Sequence, residues 1–155
     1  MESVAFDSQK VLEGDEAFYK EVDRCVSEEE RIIRSGKTAV CFTCRKLLSL
    51  QEDTPESALR RSVKISDGVQ NLVARLDVAP AFIVAKGGIT SSDIGTKALQ
   101  VRRADVMGQI KPSIPVWKTG EESRFPGIPY IIFPGNTGDE ETLREVVSRL
   151  IGSDQ

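Results

Sequence analysis

Two short runs in this chain carry a hydrophobic side chain at every position: Ala81-Phe82-Ile83-Val84-Ala85 and Tyr130-Ile131-Ile132-Phe133. A strand with one face in water alternates apolar and polar residues, because successive side chains point to opposite faces. These runs do not alternate, so both demand cover on two sides, as central strands of an α/β sheet do. The flanking sequence supplies the cover. Between Asp15 and Ser35, Phe18, Val22, Cys25, Val26, Ile32 and Ile33 recur at helical spacing, and Gly36 follows as a stop. Pro55 opens a second helix with Ile65, Val69, Leu72, Val73 and Leu76 on one face. A third carries Ile94, Ala98 and Leu99, and a last one from about Asp139 carries Leu143, Val146, Val147, Leu150 and Ile151.

The remaining strands are shorter. Residues 3–7 read as an opening strand continued at 11–12, Thr38 to Phe42 as a buried strand, and 104–110 and 116–119 as lesser ones. Pro112, Pro115, Pro126 and Pro129 favour loops and edge strands in that last stretch. Alternating strands and helices predict an α/β fold, a mostly parallel sheet with helices on both faces. A length of 155 residues suits a single domain, 1–155, with a core of its own.

Each all-apolar run hands over to glycine. Lys86-Gly87-Gly88-Ile89-Thr90-Ser91-Ser92-Asp93 follows the first, and Pro134-Gly135-Asn136-Thr137-Gly138-Asp139 follows the second. In open α/β sheets, ligands gather beyond the carboxyl ends of the strands. Glycine lets backbone approach a ligand closely, and a helix start offers unpaired N–H groups to an anion. A single glycine turn between strand and helix is more often only a turn. Two of one kind, each after a buried strand, point to a clamp on a polyphosphate. Thr90, Ser91 and Asp139 also suit helix capping, and Asp139 has a rival role as a magnesium ligand.

Composition narrows the chemistry. There is no histidine, which removes Ser-His and Cys-His machinery and the usual catalytic zinc sites. A net charge of -3 without basic blocks, and few aromatics, speak against nucleic acid as a partner. No run approaches the roughly 20 apolar residues of a membrane span, and Met1-Glu2-Ser3 opens no signal peptide, so the cytoplasm is the expected compartment. Gly36-Lys37-Thr38 imitates the end of a P-loop, but Arg31 stands where the first glycine belongs and the helix comes before, not after. Cys41-Phe42-Thr43-Cys44 imitates a redox dithiol, and Gly127-Ile128-Pro129-Tyr130 resembles the proline segment of thioredoxins. The two segments are separated by the first glycine loop and its helix, so buried structural cysteines are favoured. Trp117 reads as packing, and Glu121, Glu122 and Arg124 as a solvated loop.

The stretches AKGGITSSDIGTKAL and RRADVMGQIKPSIPVWKTGEESRFPGIPYIIFPGNTGD resemble the C-terminal nucleotide-binding domain of the four-carbon acid sugar kinases. AVCFTCR resembles that family's strand ending in a Thr-Ser-Arg type sequence, with Cys44 in place of the serine, and SVKISDGV matches the helix that follows. The resemblance covers almost the whole chain. It implies ATP-dependent phosphorylation of acids such as threonate or erythronate, with magnesium. Carried over by position, Gly87, Gly88, Ile89 and Thr90 contact the nucleotide, and Gly135 with Asn136 closes the second side.

Family members resemble two-domain enzymes. By that resemblance the sequence is expected to lack the acid-sugar domain and the nucleotide domain's further first strand and small-residue loop, as a fragment of a longer enzyme or a truncated relative would. Alone, the chain is expected to bind nucleotide weakly or not at all and to transfer no phosphate; the base expected near the acceptor is not assigned, and Asp93 and Asp139 are candidates for a cation or base role. The reading from a different class is a truncated, non-catalytic relative acting as a binding or interaction module. A dithiol oxidoreductase comes third.

Overall fold

The computed structural model describes residues 1–44 and 54–152 and divides the chain into two compact units, Met1–Ala79 and Pro80–Gln155. In the first unit, β1 (Glu2–Phe6) leads through a 3-10 helix (Ser8–Glu13) into α1 (Asp15–Arg34), β2 (Ala39–Thr43) and α2 (Pro55–Ala74). The expected strand continuation at 11–12 is instead part of that 3-10 helix, which Asp7 caps by accepting from the Gln9 N–H. β1 and β2 pair in parallel, Val4 opposite Cys41. A parallel pair needs a crossover between its strands, and α1 supplies it.

The apolar stripe of α1 buries Phe18, Val22, Cys25, Val26 and Ile32. Phe18 packs edge-on against Phe6, ring centroids 5.7 Å apart. Gly68 of α2 allows this, because a Cβ there would stand 2.6 Å from the Phe18 ring. Pro55 at the helix start, Thr54 as its cap and a reciprocal Ser57 bond fix where α2 begins. Arg45, the last residue of the AVCFTCR stretch, lies outside the described residues.

The second unit holds β3 (Ile83–Lys86), α3 (Gly88–Asp93) running into one π turn (Ile94–Ala98), β4 (Ala104–Lys111), β5 (Ile114–Thr119), β6 (Pro129–Phe133) and α4 (Thr142–Gly152). Its sheet runs β3-β6-β5-β4, with β3 parallel to β6 and the other pairs antiparallel. The α/β class stands, and the sheet of this unit is mixed. The reason is that no helix separates β4, β5 and β6, and short connections can only reverse direction. Pro115 sits inside β5 beside a register shift of β4, and β5 pairs with β6 only over Val116–Lys118. The proline therefore leaves no gap in that ladder.

β6 is covered on both faces, as its composition demands. Ile131 and Phe133 form a buried cluster with Ile114 and Val146 of α4. Tyr130 points the other way, donating its hydroxyl to the Ser91 carbonyl of α3 at 2.5 Å. Among the described residues no helix is long and apolar enough to cross a membrane.

Candidate functional site

The parallel pairing of β3 with β6 places Lys86 opposite Phe133, so both strands end together and both glycine loops leave from the same edge. The loops then touch. The Gly87 N–H donates to the Phe133 carbonyl at 2.8 Å, and a Cβ built on Gly135 would stand 3.6 Å from the Gly87 Cα. Two segments separated by nearly fifty positions in sequence thus form one surface of bare backbone.

Gly87 adopts φ 108, ψ 144, a conformation that side chains rarely tolerate, and it turns the chain sharply from β3 into α3. Gly88 opens the helix, and around its Cβ position there is open space. The first N–H groups of a helix have no partner inside it, so those of Gly88, Ile89 and Thr90 face outward by construction. Ile89 is 75% exposed, unusual for a large aliphatic side chain, and Thr90 is half-buried. Gly135 and Asn136 are both exposed across from them.

Ser91 belongs to the scaffold. Its hydroxyl is buried and lies 2.9 Å from the Ala85 carbonyl and 2.6 Å from that of Gly87, tying the loop back onto its own strand. The Tyr130 hydroxyl holds the same turn from below, and burial pushes that phenol's pKa up. Asp139 caps the entry to α4: one carboxylate oxygen accepts from the N–H groups of Glu141 and Thr142 and from the Thr142 hydroxyl, which itself accepts from the Asp139 N–H. The Thr142 hydroxyl bond comes first among the causes that lower the Asp139 pKa. Asp93 pairs with Lys97 at 3.1 Å. The two carboxylates nearest the loops in sequence are therefore engaged. Among the described residues no group of three histidine, cysteine or acidic side chains could hold a metal ion.

The decoys resolve in the first unit. Gly36, Lys37 and Thr38 form the link from helix to strand, and Lys37 pairs with Glu2. That pair and the Arg31 bond hold the Glu2 carboxyl down at about 2. Cys41 and Cys44 are free thiols, both half-buried. Burial pushes the Cys41 thiol well up, the reverse of what a reactive dithiol needs.

Sequence reading missed two residues. Glu29 is 8% exposed, shares a hydrogen bond with Cys41, and buries one carboxylate oxygen without a partner. Its burial raises its pKa to about 7, with the Cys41 bond drawing it back down. The signal was there: Glu21, Cys25 and Glu29 follow each other at i, i+4 and i+8 on the apolar stripe of α1. Glu122 is the second. It pins β4 by accepting from the N–H groups of Arg102 and Arg103, so the loop read as solvated has a fixed post.

The family described as the nucleotide-binding C-terminal domain matches residues 1–143. No curated protein matches the chain. Among solved structures, a domain of unknown function (DUF1537) from Bordetella bronchiseptica, with bound citrate and as a domain-swapped dimer, is similar at 18% identity and TM-score 0.64. It covers 96% of this chain and 34% of its own. A protein from Haemophilus influenzae of the same DUF1537 family is similar at 17% identity and TM-score 0.54, covering 97% of this chain and 40% of its own. At those identities the likeness establishes the fold. The chain spans between a third and two fifths of these relatives.

Proposed function

We propose that this chain, which belongs to the nucleotide-binding C-terminal domain family, holds the phosphates of ATP between its two glycine loops and serves an ATP-dependent kinase for four-carbon acid sugars such as threonate or erythronate. The observation that carries the reading is the approach of the loops at the shared end of β3 and β6: Gly87 donates to the Phe133 carbonyl, and a Cβ on Gly135 would already stand in van der Waals contact with the Gly87 Cα. Neither loop would embrace a phosphate chain alone. Together they offer an edge of backbone with open space at the Gly88 Cβ position for a ligand oxygen.

The chemistry fits what these residues can do. Phosphoryl transfer rests on positioning and charge neutralisation rather than on a covalent intermediate, so a chain without histidine is not handicapped. In this reading Gly87, Gly88, Ile89 and Thr90 face the nucleotide on one side, and Gly135 and Asn136 on the other. Magnesium arrives on the phosphates and keeps several of its waters, as it does in such sites, since Asp139 already serves as a cap. The acid sugar is bound by a further domain of the kind the longer relatives have room for, and the work takes place in the cytoplasm. Nucleic acid and membrane have no part in it.

Amide resonances test the placement. On titration of the isotopically labelled chain with magnesium and ADP, the N–H signals of Gly87, Gly88, Thr90, Gly135 and Asn136 should shift together and saturate. Saturable shifts confined to other residues would move the site elsewhere.

A further inference from the structure

The last residue of β3 is a lysine, at the junction of the two loops. Lys86 stands opposite Phe133 in the parallel register, so the two side chains leave the same face of the sheet. Its Nζ lies 4.0 Å from the centroid of the Phe133 ring, a ring that is itself only 1% exposed. Among the described residues no carboxylate pairs with this ammonium. The neighbours on either side of the contact are the loop residues themselves: Gly87 donates to the Phe133 carbonyl, and Gly135 follows Phe133 by two positions.

We infer that Lys86 is a phosphate-binding residue of the glycine-loop site, its ammonium meeting the phosphate chain of a nucleoside di- or triphosphate held between the loops. The inference rests on the nucleotide reading and adds to it a cationic side chain at the edge where the loops meet. An ammonium is a compact charge with three donors that swing freely, so it can follow a phosphate chain without a fixed bidentate geometry. The ring beneath it limits the wandering of a long flexible stem, so less rotamer freedom remains to be lost on binding. The competing role is purely structural: the stem shields the Phe133 ring and the charge stays in water.

Two substitutions separate these roles. Lys86→Met keeps an unbranched stem over the ring and removes the charge, whereas Lys86→Arg keeps the charge. Calorimetric titration with magnesium and ADP at low and high ionic strength should show Lys86→Met binding about tenfold more weakly at low salt. Its affinity should also depend less on salt, because a charge pair has been removed. Lys86→Arg should stay near the parent, since a guanidinium also serves phosphate. Equal ADP affinity in Lys86→Met overturns the inference, and so does a loss that is shared by Lys86→Arg with the salt dependence unchanged. A parent chain that binds no ADP brings down the nucleotide reading and the lysine with it. Binding by the parent that survives in Lys86→Met brings down the lysine alone.

Discussion

Gly88 separates stability from binding. Its Cβ direction points into open space, and it opens a helix, where an acidic side chain is electrostatically welcome. Gly88→Asp should therefore leave the melting temperature unchanged or slightly raised, while its carboxylate occupies the space proposed for a phosphate and repels it. Glu29 offers a prediction of another kind. Unfolded, its carboxyl ionises near the ordinary 4.5; folded, burial keeps the proton on until about 7. The folded state thus binds more protons in that window, and this residue's contribution to stability is lost as pH rises from about 4.5 to 7. Glu29→Gln does not titrate. Its denaturation midpoint should gain on the parent's between pH 5 and pH 8, and a gap that stays constant across that range would refute the assignment. The glycines were legible because their chemistry is local. Glu29 was harder to read, because a glutamate in a helix usually reads as a solvated residue, and its place on the apolar stripe of α1 was the one local cue against that.

At the scale of elements, Tyr130 joins β6 to the turn that carries the first loop. Tyr130→Phe removes a buried hydroxyl from the Ser91 carbonyl and should cost about 1 kcal/mol in chemical denaturation. Because Ser91 anchors Gly87, the same change should weaken ADP binding without abolishing it. An unchanged affinity would mean that the loop holds its shape without this post. The two long helices of the first unit were legible in the sequence almost to the residue: Asp15–Arg34 and the start at Pro55 follow from apolar spacing, a glycine stop and an N-terminal proline. Direction within the sheet was harder to read. The run from Ala104 to Thr119 reads as strands, but its antiparallel course depends on the two-residue link Pro112-Ser113, where Ser113 takes φ 66. No hydrophobic period announces such a turn. That the two loops would touch was also beyond the sequence, since nothing local says that β3 and β6 are neighbours.

For the molecule as a whole, a ligand that binds only the folded state must raise its stability by mass action. At a hundred times its dissociation constant, magnesium with ADP should add about 2.7 kcal/mol to unfolding, and the melting temperature should climb with concentration. Gly88→Asp, folded equally well, should show no such climb. The central claim is that the two glycine loops, meeting at Gly87 and Gly135, hold a nucleotide's phosphates. Its most direct test is calorimetric titration of the parent chain and of Gly88→Asp with magnesium and ADP. Saturable heat at one site in the parent, absent from the variant, is the expected result. No heat in the parent, or equal heat in both, would contradict the account.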